Sequence, residues 1–547
     1  MNSAAWRLGM GTLTLLVATL FCARTQAQEY VRDSGPALFT YEELVQLNKK
    51  QELTPELAGK LQEVTTTPFV NNEAYLSGVR AKQFDVPKLG PSLRVALWNI
   101  ERGLELDEIK LFLSDEAAFM AKVKEEREKA TNEKKRLRKV ELEKIPEEIA
   151  TLKAADVWIL NEVDLGVKRT EYHDVVRELG KALNMNWAYG VEFVEVADTQ
   201  LGIEQFDDGE TPEEQRQLLN EFKVDKDRLK ALHGNAVLSR YPIRAARLVP
   251  FTMGYDWFTE PKIRPLEKAK RKAALLVGEE LLQETRRGQR ATLYVDLDVP
   301  GSPTGVVTVA STHLENRAKP KIRRQQIEEL LNTVKDIHNP AVVGGDMNTT
   351  GSDATPTSVE NMLYKRYGSL DFWTTKGIQW TTGVGIAYSA TKTALKLSGI
   401  QYRIDPTSAN IPGASPNLER RFFTSLEKFR FADGTVIDFR GVPERTVNKT
   451  SGTLADSNQR GGPGFVPTFV AELIWGNVKL AKFKLDWFFV KANIQNARDR
   501  NGPYIFAPHF ARTMVDINNC LPEPISDHSP MTIDLPFHEP VELKNPD

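Results

Sequence analysis

Cysteine is almost absent from this sequence of 547 residues, which contains only Cys22 and Cys520. Cys22 falls within an apolar N-terminal run, so cleavage after that run would leave Cys520 as the single thiol. One cysteine cannot form an intrachain disulfide, and it excludes a zinc site made of several thiolates. An exported chain without disulfides fits a bacterial periplasm or exterior better than a eukaryotic secretory product.

Long hydrophobic runs are also scarce, and none outside the N-terminus is long enough to cross a bilayer. At the N-terminus, Arg7 precedes an apolar run over residues 8–23, and the small-residue exit Thr25-Gln26-Ala27 follows. This layout predicts a cleaved signal peptide over residues 1–27 and a periplasmic or secreted protein. Two alternatives stay open, an uncleaved membrane anchor and lipidation at Cys22, although the bulky Phe21 disfavours lipidation.

Neither sign of charge is in excess, with 72 Lys and Arg against 74 Asp and Glu. Cleavage of residues 1–27 would remove Arg7 and Arg24 and no acidic residue, which gives 70 against 74, or −4. Proteins that bind duplex DNA tightly usually carry a basic surplus or a basic face. The balance therefore counts against DNA as the substrate. It still allows a local basic patch such as "KPKIRRQQ" (319–326) or "ETRRGQR" (284–290), although an amphipathic helix explains the first equally well.

The pattern along the chain predicts an N-terminal extension over 28–91, one large domain over 92–538 and a tail over 539–547. The extension contains a short helix in "TYEELVQLNKK". Three segments of the domain are predicted insertions, at about 107–145, 196–230 and 351–480. The first is rich in interleaved Lys and Glu, which favours a solvated helical hairpin over nucleic-acid binding.

Within the domain, apolar strand-like runs repeatedly stop at a carboxylate, an amide or a histidine. Strands separated by helices predict a layered α/β protein, and polar residues at strand ends predict one site along a sheet edge. The polar residues concerned are Asn99, Glu101, Glu162, Asn235, His313, Asp346, Asn348, Asp486, Asp527 and His528.

These residues occur in seven segments: "LWNIERG", "LNEVD", "HGNAVLSRYPI", "STHLE", "GGDMNTT", "KLDWFFV" and "SDHSP". In this order the segments resemble the endonuclease/exonuclease/phosphatase superfamily, with a DNase I-like fold, in an exported bacterial member. The resemblance covers roughly Leu93 to Pro536 and implies a four-layer α/β/β/α sandwich with large insertions. Asn161 stands where the family commonly has Gln, which is a conservative change. The insertion over 351–480 weakens any transfer of substrate from known members.

The resemblance also implies roles for the site residues. Asn99, Glu101, Glu162 and Asp527 would supply oxygen ligands to Mg²⁺ or Mn²⁺, because hard divalent cations prefer such ligands. Asp346 would activate the attacking water, and Asn348 would help to position it or the phosphate. His313 and His528 would donate hydrogen bonds to the phosphoryl oxygens, Asp486 would orient His528, and Asn235 would contact the phosphate.

The predicted function is therefore a metal-dependent phosphoesterase that hydrolyses a phosphodiester or phosphomonoester. Nucleic acid, an inositol phosphate and a lipid headgroup all stay open as substrates, and no obligate protein partner is evident. Aromatic residues in "LDFWTTKGIQW" (370–380) would suit membrane contact, but core packing explains them better. The alternative from another class is a non-catalytic binding protein that retains the fold.

Overall fold

The computed structural model describes residues 29–82, 84–87, 89–133, 135, 137–203, 223–263, 284–349, 420–439, 467–470, 473–475, 478–481, 484–494 and 504–538. The predicted signal peptide, the aromatic segment 370–380, the predicted tail and most of the predicted insertion over 351–480 lie outside these residues. Within the described ranges, no helix combines the length and the hydropathy needed to span a membrane.

The strands are β1 (Asp33–Ser34), β2 (Phe69–Asn71), β3 (Phe84–Val86), β4 (Gly90–Arg102), β5 (Val157–Leu165), β6 (Asn186–Glu195), β7 (Leu232–Ser239), β8 (Ile243–Pro250), β9 (Arg286–Gly288), β10 (Ala291–Asp298), β11 (Val306–His313), β12 (Ala341–Asp346), β13 (Leu473–Trp475), β14 (Val478–Ala481), β15 (Asp486–Lys491), β16 (Asn493–Ile494), β17 (Tyr504–Ile505), β18 (His509–Thr513) and β19 (Met531–Pro536). The α-helices are α1 (Tyr41–Lys49), α2 (Pro55–Thr66), α3 (Glu73–Leu76), α4 (Leu106–Ser114), α5 (Glu116–Asn132), α6 (Ile145–Lys153), α7 (Val175–Leu183), α8 (Asp198–Leu201), α9 (Glu260–Ile263), α10 (Pro320–Val334), α11 (Arg420–Lys428) and α12 (Val515–Asn518). Two short 3₁₀ helices cover Leu142–Lys144 and Lys168–Thr170.

The larger sheet has the strand order β1-β2-β6-β7-β5-β4-β19-β18, with β3 paired to β4 and β9 paired to β6. The two central strands β4 and β5 are parallel, and Asn99 lies opposite Asn161. The last strand, β19, pairs antiparallel with β4. This pairing brings the two ends of the domain together in the middle of the sheet.

The smaller sheet has the order β15-β12-β11-β10-β8. Its strands β11 and β12 are parallel, so that His313 and Asp346 lie side by side at their carboxyl ends. Strand β15 runs antiparallel to β12 and starts at Asp486, which lies opposite Asp346. All three of these residues therefore lie side by side at the same end of the sheet.

The two sheets stack face to face, because alternate residues of their strands are apolar. In β4, Leu93, Val95 and Leu97 belong to a core shared with the smaller sheet, whereas Ala96 and Trp98 pack against helices. In a strand, alternate side chains point to opposite faces, so burial of both faces produces a continuous apolar run. Gly344 marks the close approach of the sheets, since a Cβ there would lie 2.8 Å from Cδ1 of Ile159.

Three buried clusters define the layers. The first lies between the larger sheet and helices that include α1, α4, α6 and α7. The second lies between the two sheets, and the third between the smaller sheet and helices α10 and α11. The protein is therefore a four-layer α/β/β/α sandwich, and the predicted fold class is confirmed.

The N-terminal residues belong to this sandwich. The predicted helix is α1, which begins with a capping box in which Thr40 accepts from the Glu43 amide and Glu43 accepts from the Thr40 amide. Strand β2 then pairs with β6 and adds a strand to the larger sheet. In the mixed-charge segment after β4, Phe112 and Phe119 are fully buried in the first core, so those helices cover part of the sheet.

Candidate active site

The predicted site residues are brought together where the edges of the two sheets meet. The larger sheet supplies Asn99 and Glu101 from β4 and Glu162 from β5. The smaller sheet supplies His313, Asp346 and Asp486, and Asp527 and His528 lie in the turn before β19. All of these side chains are buried.

Glu101 and Glu162 lie in bulges inside their strands and not after them. The β4–β5 register shifts between Asn99 and Arg102, and the β5–β7 register shifts between Leu160 and Val163. Glu101 has φ 47° and Glu162 has φ 51°, a left-handed conformation that costs a non-glycine residue about 1–3 kcal/mol. Strand β4 ends at Arg102, one residue after Glu101, as predicted, whereas β5 continues to Leu165, beyond its predicted end at Asn161 and Glu162. The bulges re-aim both side chains without ending the sheet.

Asp346 lies at the centre of the group. Its Oδ2 is 3.4 Å from Nε2 of His313, 3.7 Å from Nε2 of His528 and 3.4 Å from Nδ2 of Asn99. The Nε2 atoms of both histidines have no hydrogen-bond partner among the described residues. Two ring nitrogens therefore face one carboxylate oxygen across distances slightly too long for good hydrogen bonds.

The electrostatic surroundings raise the pKa of Asp346 to about 7. Burial is the largest cause, Asp486 adds to it, and His528 opposes it. The other carboxylate oxygen, Oδ1, accepts from the Asn348 amide at 2.8 Å. Near neutral pH this carboxyl group can therefore both take up and release a proton.

His528 is oriented by Asp486, whose Oδ2 lies 2.7 Å from Nδ1 of the ring. Burial alone would lower the pKa of His528, but the carboxylates of Asp486 and Asp346 raise it well above the usual value. His528 is therefore a cation that presents Nε2–H toward Asp346. Its backbone carbonyl also accepts from Nε1 of Trp98 at 2.8 Å, which fixes the turn.

A second support for His528 comes from residues 467–470, which belong to the predicted insertion over 351–480. Thr468 accepts from the Asp486 amide at 3.2 Å, and its carbonyl accepts from the Ser529 amide at 2.6 Å. The ring of Phe469 lies 5.5 Å from the His528 ring. This end of the predicted insertion is therefore part of the site, and its sequence contains no motif that would have shown this.

His313 is held by a different kind of partner. Nη1 of Arg290 lies 2.8 Å from Nδ1 of the ring and 2.8 Å from Oε2 of Glu192. A guanidinium can only donate, so Nδ1 must accept and the ring proton must sit on Nε2. Burial and the charge of Arg290 lower the pKa of His313 well below its usual value. His313 is therefore a neutral donor, in contrast to the cationic His528.

Asn235 lies in a buried hydrogen-bond network beneath the site. Its Nδ2 donates to Glu192 and to the Ala291 carbonyl, and its Oδ1 accepts from Asn161 at 2.8 Å. Asn161 in turn accepts from the Asp346 amide at 2.9 Å. Both amide hydrogens of Asn235 are thus used within the protein, and a phosphate contact through Asn235 stays a prediction.

The sequence also matches a known family. The profile of the Endonuclease/Exonuclease/phosphatase family matches residues 96–492, which is more than half of the chain. The chain belongs to the Endonuclease/Exonuclease/phosphatase family. No curated protein matches it.

Solved structures that resemble this family member share little sequence with it. An endonuclease/exonuclease/phosphatase from Beutenbergia cavernae DSM 12333 has 15% identity and a TM-score of 0.36, with 81% of this chain and 71% of that chain covered. The human Nocturnin catalytic domain with bound sulfate anion has 14% identity and a TM-score of 0.33, with 81% and 93% covered. A variant of the 3′ phosphatase NExo from Neisseria, bound to product DNA hairpin, has 11% identity and a TM-score of 0.33, with 81% and 99% covered.

In this Endonuclease/Exonuclease/phosphatase protein, Glu162 has an arginine partner that was not predicted from the sequence. Nη1 of Arg102 lies 3.5 Å from Oε2 of Glu162, and Nη2 of Arg102 lies 2.7 Å from Oε1 of Glu284. Arg102 directly follows the Asn99 and Glu101 motif, and Glu284 and Arg290 are the ends of the basic segment 284–290. The sequence shows that these residues are charged, but the pairing of Arg102 with Glu284 joins residues about 180 positions apart in the chain.

The basic segments considered for nucleic-acid binding supply mainly buried arginines. Arg286 and Arg290 are 2% and 1% exposed and pair with glutamates. Arg323 is 1% exposed and donates to the carbonyls of Glu315 and Ala318. The segment 319–326 lies at the start of helix α10, as its alternative explanation predicted. These arginines stabilise loops near the site and do not form an open basic groove.

The residues predicted to bind a cation, Asn99, Glu101, Glu162 and Asp527, all carry side-chain oxygen atoms. Across the described ranges, no group of three or more His, Cys, Asp or Glu side chains is arranged to hold a metal ion. Oε2 of Glu162 is buried and accepts no hydrogen bond from any described residue. Glu101 lies on the adjacent strand and accepts from the Asp527 amide at 2.9 Å. An oxygen-rich set with one or two carboxylates fits Mg²⁺, which keeps several waters and also binds substrate phosphate.

Proposed function

We propose that the protein is a phosphoesterase that hydrolyses a phosphate ester with a water activated by Asp346, in the presence of Mg²⁺ or Mn²⁺. The observation that carries this proposal is the convergence of Nε2 of His313 and Nε2 of His528 on the Oδ2 atom of Asp346. A base with two hydrogen-bond donors close beside it is what in-line attack on a phosphoryl group requires.

Each residue has a distinct part in this proposal. Asp346 takes the proton of the attacking water, since its pKa of about 7 makes it a useful base near neutral pH. His313 donates a hydrogen bond from neutral Nε2–H to a phosphoryl oxygen. His528 donates from a cationic ring, and this donor stabilises the negative charge that accumulates in the transition state. Asn348 holds the Asp346 carboxylate through its backbone amide.

The residues that would hold the cation are Asn99, Glu101, Glu162 and Asp527, and Glu162 is the strongest candidate. The cation would polarise the phosphoryl oxygen and stabilise the leaving oxygen. Glu162 supports this assignment because its buried Oε2 accepts no hydrogen bond from the described residues, although the Arg102 guanidinium lies 3.5 Å away, so a cation could still bind this oxygen.

The substrate is best sought first among small phosphate esters and lipid headgroups. The near-neutral charge balance and the burial of Arg286, Arg290 and Arg323 both argue against a long basic groove for duplex DNA. A side-by-side comparison of DNA, RNA, inositol phosphates and sphingomyelin tests this ordering.

The reaction itself can be tested on bis-p-nitrophenyl phosphate. We expect turnover that depends on Mg²⁺ or Mn²⁺ and stops with EDTA. Asp346→Asn and His528→Ala should each lower kcat by roughly 10²–10³-fold. The matched controls Asp336→Asn and His338→Ala, at exposed positions, should not change it. If folded wild-type protein turns over no phosphate ester with either cation, the non-catalytic alternative is correct.

We also propose that the protein is exported, on the basis of the N-terminal pattern alone. Expression in a Gram-negative host, followed by fractionation and N-terminal sequencing, tests this. Cleavage after Ala27 with recovery from the periplasm would support export, whereas an intact N-terminus in the cytoplasm would contradict it.

A further inference from the structure

Arg102 bridges two buried carboxylates, and only one of them belongs to the proposed cation site. Its guanidinium contacts Glu162 at 3.5 Å and Glu284 at 2.7 Å, and the three side chains are 1–2% exposed. Arg102 has φ 69°, next to Glu101 with φ 47°, so the same bulge that presents Glu101 also turns Arg102 toward Glu162. The contact is thus built into the irregular end of β4.

Glu284 binds Arg102 more closely than Glu162 does, but it is also shared. Arg286 lies 2.8 Å from Oε1 of Glu284, and Arg317 lies 3.2 Å from its Oε2. Burial alone would raise the pKa of Glu284, but the three arginines lower it to about 2. Glu284 therefore stays ionised and holds one of the two amino groups of Arg102 away from Glu162.

A cation and the Arg102 guanidinium would compete for the same carboxylate. In a buried site the repulsion between two such charges is only weakly screened. Any change that moves Arg102 closer to Glu162 should therefore weaken cation binding, and any change that removes Arg102 should strengthen it.

We propose that Arg102 is a positioning residue that sets the cation affinity of Glu162, and that Glu284 controls how much of the Arg102 charge reaches Glu162. This inference rests on the proposed function, since it takes Glu162 as a cation ligand. It concerns two residues to which the proposed function assigns no contact with water, phosphate or cation.

The inference makes predictions of opposite sign for two substitutions. Arg102→Met removes the guanidinium that contacts Glu162 and should tighten Mn²⁺ binding by roughly tenfold. Glu284→Gln removes the partner that holds Arg102 back and should weaken Mn²⁺ binding by a similar factor. A purely structural role for this ion-pair cluster would lower the stability of both variants and shift both affinities in the same direction or not at all.

A matched control is available on the same strand. Arg94 is buried and pairs with Asp534 at 2.6 Å, toward the start of β4 and away from Arg102. Arg94→Met breaks a comparable buried ion pair far from Glu162. It should lower the melting temperature and leave the Mn²⁺ dissociation constant unchanged.

The experiment is calorimetric titration of MnCl₂ into metal-stripped full-length protein, with thermal unfolding measured in parallel with and without Mn²⁺. Opposite shifts in the dissociation constants of Arg102→Met and Glu284→Gln support the inference. The inference is overturned if the two dissociation constants shift in the same direction or do not shift, or if the dissociation constant of Arg94→Met shifts. If Arg102→Met does not fold, unchanged or tighter binding by the isosteric Glu284→Gln still overturns it. Absence of saturable Mn²⁺ binding in the wild type would instead refute the cation site of the proposed function, and this inference with it.

Discussion

The contact between Arg290 and His313 allows stability and catalysis to be separated by experiment. Arg290 is 1% exposed, and its Nη1 lies 2.8 Å from both Glu192 and His313. Replacement by Met removes one member of a buried ion pair, which costs about 3–5 kcal/mol because the other charge is left without its partner. A domain is commonly stable by only about 5–15 kcal/mol, so the loss should be large.

The same substitution should also lower the rate. Without the Arg290 donor, the proton of His313 can move to Nδ1, and Nε2 no longer donates to the phosphoryl oxygen. Loss of one oriented donor of this kind lowers kcat by roughly 10²–10³-fold. We therefore expect Arg290→Met to be both destabilised and nearly inactive on bis-p-nitrophenyl phosphate.

A second substitution distinguishes the two effects. In the double variant Arg290→Met with Glu192→Gln, the unpaired buried charge is gone, so most of the lost stability should return. The rate should stay low, because the donor to His313 is still missing. The assays are urea unfolding, kcat, and the tautomer of His313 from ¹⁵N-histidine NMR spectra. Recovery of the rate together with stability, or an unchanged His313 tautomer in Arg290→Met, would refute this reasoning.

Three further predictions concern other parts of the molecule. A Cβ at Gly345 would lie 1.7 Å from the Thr312 carbonyl oxygen, so Gly345→Ala should disrupt the strand that carries Asp346 and abolish activity. A Cβ at Gly344 would approach the flexible end of the Ile159 side chain, so Gly344→Ala should retain much of the activity. Measurements of kcat and melting temperature for both variants test this difference. Cys520 is fully buried, and burial raises the pKa of its thiol to about 12, so Ellman's reagent should label it only after unfolding. Burial also raises the pKa of Asp156 from its usual 3.8 to about 7, so between these values the folded state binds more protons than the unfolded state. The free energy of unfolding should therefore fall by on the order of 3 kcal/mol between pH 5 and pH 8. Asp156→Asn should remove that part of the pH dependence, as measured by urea titrations at the two pH values.

Strand periodicity and short motifs are local signals that can be recognised in a sequence. They predicted that polar residues at the ends of apolar strands lie together in one site. His313 and Asp346 end their strands as expected, and Asp527 and His528 precede the last strand. The four layers were predicted only through the resemblance of these motifs, in their order, to a known family. Local patterns, however, carry no information on which residues bind one another across the fold.

The features that escaped prediction all depend on contacts between distant segments. The bulges at Glu101 and Glu162 arise from register shifts between neighbouring strands, which no single strand sequence reveals. Arg290 supports His313 only because β10 and β11 are adjacent. Thr468 supports Asp486 from within a stretch that has no periodicity, so no local pattern places it at the site.

The pairing of β19 with β4 has a consequence for how the chain folds. Strand β4 lies near the start of the domain and β19 at its end, so about 430 residues separate Trp98 from the His528 carbonyl that it binds. Contacts of such large sequence separation form slowly, and a nascent chain cannot make this one until its last strand has left the ribosome. Until then β4 has an open edge that can pair with strands of other chains. The site can therefore assemble only after β19 has been synthesised, and fragments that lack β19 should aggregate instead of forming a partly active enzyme.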